Sequence, residues 1–185
     1  MEFIQSVDFA ILDFIQQFIK CSFLDIPMMV IGYLGEAGGI WIIAGIVMLF
    51  FKKTRATGVM ILTALLLVFF VGEVAIKHFV ARPRPFLFNT DITLNIYAPP
   101  GHSFPSSHTA LSFAAAVIIF IRERKAWGIP ALILAFLIGF SRLYNYVHYP
   151  SDVLGGMLLG TMIALLTLFV FRKTKLDRRL SGQRR

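Results

Sequence analysis

The sequence predicts an all-α fold, a polytopic membrane helix bundle with five to six transmembrane helices and an N-terminal amphipathic helix. Three observations predict it. Of 185 residues, 57% are hydrophobic and only 15% charged, against about 25% charged in a typical soluble domain. Mean hydropathy is +0.76. Several apolar runs approach the roughly 20 residues that a helix needs to cross a bilayer.

The elements follow in order. Over residues 3–20, Phe3, Ile4, Val7, Ala10, Ile11, Phe14, Ile15 and Phe18 recur at helical spacing with polar residues between them. That pattern predicts an amphipathic helix. It either lies in the interface or packs on the bundle. Residues 27–51 form the first span, where Gly32, Gly35, Gly38, Gly39 and Gly45 favour close helix contact and Glu36 marks a break or the mouth of the span. Residues 56–79 form the second. Glu73 and Lys77 share a face there, and Arg82-Pro83-Arg84-Pro85 ends the helix. The mixed stretch 86–105 is a long loop, which favours a functional cover or an interfacial segment. The third span runs from Ser106 to Arg122 and the fourth from Ala126 to Tyr144, with Pro130 placed in its first turn. The fifth runs from Pro150 to Phe171 and carries Gly155, Gly156 and Gly160 for packing. The chain thus divides into an N-terminal helix region (1–26), a membrane-embedded domain (27–171) and a basic tail (172–185).

Charge placement fixes the expected orientation. The net charge is +8, but the basic residues fall in short loops and the tail, which argues against a nucleic-acid partner. With five alternating spans, the turns at 52–55 and 122–125 and the tail share one side and hold 13 of the 18 Lys and Arg. That side is expected to be cytoplasmic, in a multi-pass protein of the cell (inner) membrane. His78, His102, His108 and His148 fall on the opposite, extracytoplasmic face, as do Lys77, Arg82, Arg84 and Arg142. Cys21 is the only cysteine, so neither an internal disulfide nor a cysteine metal cluster is possible. The N-terminus lacks the basic region of a signal peptide, and no internal repeat is apparent.

Three polar stretches lie at span ends: Lys77 to Pro85, Pro105-Ser106-Ser107-His108, and Ser141 to Asp152. Lys77, Arg84 and Arg142 would repel one another unless they shared an anion, and arginine forks match phosphate oxygens. Helix N-termini near Ser106 and Tyr149 would add free N–H groups. Asp152 could reach back to His148, fixing its tautomer and freeing the other nitrogen to attack. His108, in a first turn, is placed to protonate a leaving oxygen. Read singly, each of these residues is simply interfacial, and His78 and His102 stay in that class. His102 could also line the entrance. Glu73 is read as an orienting partner of Lys77, Arg82 as a headgroup contact, and Ser141 as a helix-end residue or a brace for the Arg142 loop.

The pattern Lys77-x6-Arg84-Pro85, Pro105-Ser106-Ser107-His108 and Ser141-Arg142-x5-His148-x3-Asp152 resembles the three-part signature of the type 2 phosphatidic acid phosphatase superfamily. The motifs and their spans cover residues from about 50 to 171. Ser107 stands where that family usually has glycine. It keeps the backbone N–H but narrows the pocket. The resemblance implies that His148 forms a phosphohistidine, Asp152 orients it, and His108 serves as acid and then base. It implies that Lys77, Arg84, Ser106, Ser107 and Arg142 hold the phosphate, with no metal and no cofactor. The implied partners are the bilayer and a membrane lipid phosphate, and the sequence leaves the oligomeric state open. Undecaprenyl diphosphate is the favoured substrate. Phosphatidylglycerophosphate, phosphatidic acid and a lipid A phosphate are the alternatives. A non-enzymatic lipid or anion transporter is the rival reading, and it would not need an acid, a nucleophile and an orienter at these spacings.

Overall fold

Helices end where the sequence withdraws the residues that continue them. The structure, a computed structural model, describes residues 2–174. Helix α1 (Glu2–Phe14) widens into a π turn over Ile15–Ile19, and the backbone becomes extended at Lys20. Helices α2 (Ser22–Leu34) and α3 (Gly39–Leu49) are joined by a 3-10 turn. Helix α4 (Arg55–Val68) passes through a π segment, Phe69–Ile76, into the short α5 (Lys77–Val80). Helices α6 (Ser107–Arg122), α7 (Lys125–Tyr144) and α8 (Pro150–Lys173) complete the bundle. No strand occurs among the described residues.

Among the described residues, three helical stretches are long and apolar enough to cross a membrane: Arg55–Leu87, Lys125–Tyr144 and Pro150–Lys173. Helices α2 and α3 pass that test only as a pair bent by 47°. At the bend Ala37 has φ 48° and Gly38 φ 72°, left-handed values that no helix continues through. Helix α6 is apolar but has only 16 residues.

Some boundaries differ from expectation. The first span begins at Ser22, not at 27, because its N-terminus is capped from far along the chain. The Cys21 N–H donates to the Tyr144 hydroxyl (3.1 Å), and that hydroxyl lies 2.8 Å from Asp25 Oδ1. The helix expected over 3–20 gives way to the π turn after Phe14. Pro130 is the sixth residue of α7, in its second turn rather than its first, and so removes one helix hydrogen bond. The tail from 175 onward lies outside the described residues.

Helix α6 sits at the centre. Ala110, Ala114, Ala115, Ala116 and Ile118 are fully buried in one core with residues of α4, α7 and α8. Its neighbour α8 approaches at backbone distance. A Cβ on Gly160 would lie 2.2 Å from the Ala110 carbonyl oxygen, and one on Gly156 would lie 2.6 Å from that of Ser106. Large apolar side chains such as Phe50, Phe69, Trp127, Leu158 and Phe169 face outward, as lipid contact requires. Helix α1 keeps Phe3, Ile4, Val7, Ile11 and Phe14 exposed while burying Asp8 and Leu12, and the π turn after it buries Ile15, so α1 packs on the bundle by a face that includes a charge.

The two ends of the bundle are tied separately. The Thr57 hydroxyl donates to Glu123 Oε1 (2.6 Å), bringing the 52–55 and 122–125 turns together. At the other end the Ser106 N–H donates to the Asp152 carbonyl (3.1 Å), joining the first turns of α6 and α8.

Gly160→Val should destabilise the protein by about 1–3 kcal/mol through overpacking, read as a lower Tm in detergent. Gly39→Ala, whose Cβ would meet nothing within 4 Å, should leave Tm unchanged. Equal Tm values for the two variants would mean that α6 and α8 do not touch at backbone distance.

Candidate active site

Pro150 opens α8 with its fixed φ and missing N–H, and Asp152 completes the first turn by accepting the Tyr149 N–H at Oδ2 (2.9 Å). The same oxygen lies 3.5 Å from His148 Nδ1, an ion-pair distance at the limit of hydrogen-bonding reach; Nδ1 has no other partner. On the opposite side of the ring, Arg84 Nη1 lies 3.2 Å from His148 Nε2. A guanidinium can only donate, so Nε2 carries the lone pair and the proton sits on Nδ1, toward the carboxylate. Burial pushes the imidazole down to about 3, Arg84 adding to the fall and Asp152 opposing it. The ring is therefore neutral.

Arg84 is held by carbonyls rather than by an acid. Its Nε donates to Gly101 (3.2 Å), Nη2 to Pro100 (3.1 Å) and Nη1 to Val147 (3.0 Å). The stretch 86–105 thus braces the guanidinium against His148. Arg142, on the last turn of α7, is buried and forms no ion pair among the described residues, and its Nε lacks a partner there. Lys77 donates to Glu73 Oε2 (2.7 Å) and to the Ser107 hydroxyl (3.0 Å), and that hydroxyl donates to the same Glu73 oxygen. The serine that stands where glycine is usual therefore ties α6 to Lys77.

Ser106 caps α6: its hydroxyl accepts from the Thr109 hydroxyl (2.9 Å) and N–H (3.5 Å). In the same first turn, His108 Nε2 lies 3.2 Å from Glu36 Oε2 at the bend between α2 and α3.

These groups surround a cavity of about 590 Å³. Its polar wall is Glu36, Glu73, Lys77, Arg84, Ser107, His108, Arg142 and His148, and its apolar wall includes Leu62, Leu65, Leu66, Phe69 and Leu111. A tetrahedral anion in that cavity would meet three cations and the α6 N-terminus, with a neutral imidazole beside it. Among the described residues no three His, Cys, Asp or Glu side chains come together as metal ligands.

Of the residues singled out from sequence, Lys77, Arg84, Ser107, His108, Arg142 and His148 meet at the cavity, while Ser106 and Asp152 stand behind its wall. Glu73 partners Lys77 as expected. Ser141 is a helix-end residue whose hydroxyl donates to the Ile138 carbonyl (2.7 Å). His78 and His102 face each other across 6.4 Å and do not line the cavity. Arg82 is a correction. It does not point to headgroups but bonds to Asp8, Ser151 and Asp152, because buried carboxylates offer better partners than the interface. Sequence reasoning missed three contributions: the Glu36 pairing with His108, Asp8, and the carbonyls of Pro100 and Gly101. Glu36 alone carried a signal, as an acid inside an apolar run.

The fold and the site together define a membrane-type helical bundle with a cation-lined, histidine-bearing cavity at one end. The chain belongs to the PAP2 superfamily, whose pattern matches residues 56–175, well over half of its length. It is 34% identical over 129 residues to the undecaprenyl-diphosphatase of Sulfolobus acidocaldarius, covering 70% of this chain and 62% of that protein. It is 34% identical over 145 residues to the bacitracin transport permease protein BcrC of Bacillus licheniformis, covering 77% and 69%. Among solved structures, the transmembrane PAP2-type phosphatidylglycerolphosphate phosphatase of Bacillus subtilis superposes with a TM-score of 0.76 at 27% identity, covering 94% of this chain and 88% of that one.

A neutral, buried His148 makes stability depend on pH. Its folded pKa lies below the ordinary 6.5, so the unfolded chain binds the extra proton as pH falls. Stability from this group is complete above pH 6.5 and is lost toward pH 3, by up to about 1.4 kcal/mol per pH unit. His148→Asn should flatten the fall of Tm in that window. Parallel Tm curves for the two proteins would contradict a neutral His148.

Proposed function

We propose that this chain is a membrane lipid phosphatase that works through a phosphohistidine without a metal. The observation that carries the reading is the contact of Arg84 with His148 Nε2 at 3.2 Å, which puts the imidazole lone pair on Nε2 beside a phosphate-binding fork that an arriving phosphate can draw onto its own oxygens. His148 Nε2 attacks phosphorus as Lys77, Arg84, Arg142 and the Ser107 N–H hold the equatorial oxygens. Ser106 supports them by capping α6. The bond from that phosphorus to its lipid-side oxygen breaks (the bridging oxygen, when the substrate is a diphosphate), and His108 gives that leaving oxygen its proton. Asp152 stabilises the charge that His148 acquires. A water then loses a proton to His108 and attacks the phosphohistidine, releasing inorganic phosphate and restoring both rings.

Undecaprenyl diphosphate is the favoured substrate. The undecaprenyl-diphosphatase relative supports it, and the apolar wall from Leu62 to Phe69 suits a long hydrocarbon chain. The bent α2–α3 pair and the shorter α6 both cross the bilayer in this reading, giving five spans. The site then opens on the extracytoplasmic face and the tail is cytoplasmic, in line with the basic residues at 52–55 and 122–125.

Purified protein in EDTA should release phosphate from undecaprenyl diphosphate faster than from phosphatidic acid, phosphatidylglycerophosphate or lipid A, and vanadate should inhibit. Radiolabel should be trapped on acid-quenched wild type and lost in His148→Ala. His108→Ala should slow lipid phosphates more than p-nitrophenyl phosphate, whose leaving group needs little protonation. Wild-type labelling of His148→Ala would move the nucleophile elsewhere, and phosphate release that needs added magnesium would sink the metal-free mechanism. An absence of phosphate release from all four lipids would favour transport.

Asn95→Cys in a Cys21→Ser background should react with a membrane-impermeant thiol reagent added to intact cells. Labelling only after the cells are broken would invert the topology.

A further inference from the structure

Helix α1 carries a buried aspartate that the reaction scheme above does not use. Asp8 is almost fully enclosed, and its carboxylate reaches across to α8 and to the segment after α5. Oδ2 accepts from Arg82 Nη2 (2.7 Å) and from the Ser151 hydroxyl (2.5 Å), and Oδ1 accepts from the Ser151 N–H (2.9 Å). Arg82 turns its other amino group to Asp152 Oδ1 (2.7 Å) and to the Ser151 hydroxyl (2.7 Å). The guanidinium also lies over the Tyr149 ring, 3.8 Å from its centroid. One arginine therefore bridges two carboxylates that are 144 positions apart in the sequence.

The two oxygens of Asp152 have separate tasks. Oδ2 accepts the Tyr149 N–H and faces His148 Nδ1, while Oδ1 is taken by Arg82. A carboxylate held on one oxygen alone can turn about its last bond and move off the imidazole. A charge-assisted bond on the second oxygen prevents that. Arg82 is fixed in turn by Asp8 on one side and the Tyr149 ring on the other. Neither Asp8 nor Arg82 lines the cavity, so neither touches the phosphate. Both carboxylates are buried and Arg82 is mostly covered, and ion pairs in that setting add little net stability over an apolar replacement, so geometric control is the better account of them.

We propose that Asp8 and Arg82 are positioning residues: Arg82 clamps Asp152 so that its free oxygen stays on His148, and Asp8, brought by the N-terminal helix, holds Arg82. The proposal rests on the reading that His148 attacks and Asp152 orients it. It makes α1 a working part of the catalytic end rather than a membrane anchor.

A double-mutant cycle on the full chain tests it, with undecaprenyl diphosphate in mixed micelles, or phosphatidic acid if wild type turns that over faster. Asp8→Asn and Arg82→Lys should each lower kcat about tenfold and leave KM within about twofold. Asp152→Asn should cost more. Asp8→Asn added to Asp152→Asn should slow it no further than about twofold, because Asp8 acts through the carboxylate already removed. A merely structural Asp8 would slow both backgrounds equally, and that result overturns the proposal. So does wild-type kcat in Asp8→Asn and Arg82→Lys while Asp152→Asn is slow. Full activity in Asp152→Asn, or an inactive wild type, would instead refute the underlying mechanism and the proposal with it. If Asp8→Asn shows no thermal unfolding transition, Arg82→Lys and its combination with Asp152→Asn carry the test, since lysine keeps the charge but cannot span both carboxylates.

Discussion

The close backbone contact between the first turns of α6 and α8 is the constraint on which the site depends. The Ser106 N–H meets the Asp152 carbonyl at 3.1 Å, and Gly156 and Gly160 leave no room for a side chain between the helices. That contact brings His108, near the start of α6, and His148, just before α8, to the same cavity. Without a hydrophobic drive between helices in lipid, small residues and backbone hydrogen bonds are the means available for such an approach. The buried alanines of α6 extend the same packing down the bundle.

Once the helices are set, the electrostatic problem is to hold cations in an apolar bundle without cancelling them. The three cations meet it differently. Arg84 is satisfied by the carbonyls of Pro100, Gly101 and Val147, which orient the fork but carry no net charge. Arg142 has no acidic partner at all among the described residues. Lys77 is paired with Glu73, so an arriving anion must compete with a carboxylate there. The result is a cavity whose positive character is strongest at the arginine side, against the His148 ring. A neutral imidazole in that field keeps a lone pair on Nε2, where it accepts from Arg84 until an anion takes that donor over.

The apolar wall matters as much as the polar one. Leu62, Leu65, Leu66 and Phe69 come from α4 and the π segment that follows it, and Phe69 and Leu66 are exposed toward where lipid would lie. The same π segment carries Glu73 and delivers Lys77 to the cavity. One stretch of chain thus links the hydrocarbon-facing surface to the anion site, which fits a substrate with an apolar tail and a charged head.

The sequence by itself determined the helices and the three motifs, because both are written in local patterns. Apolar runs set α7, α8 and the continuous stretch from α4 through the π segment to α5 within a residue or two, though not the π widening inside it, and Ser106 and Pro150 announced the starts of α6 and α8. The expected meeting of Lys77, Arg84, His108, Arg142 and His148 also followed from their common place at span ends. Only the tertiary structure decided the partners of Asp8, Arg82 and Glu36. Asp8 read as one more polar residue on an amphipathic helix, and Arg82 as a surface cation. Tyr144 capping α2 across 123 positions gave no local signal either. A hydrogen bond between distant residues depends on how helices cross and rotate. That rotation is set by packing at glycines such as Gly156 and Gly160, not by the spacing of residues along one helix.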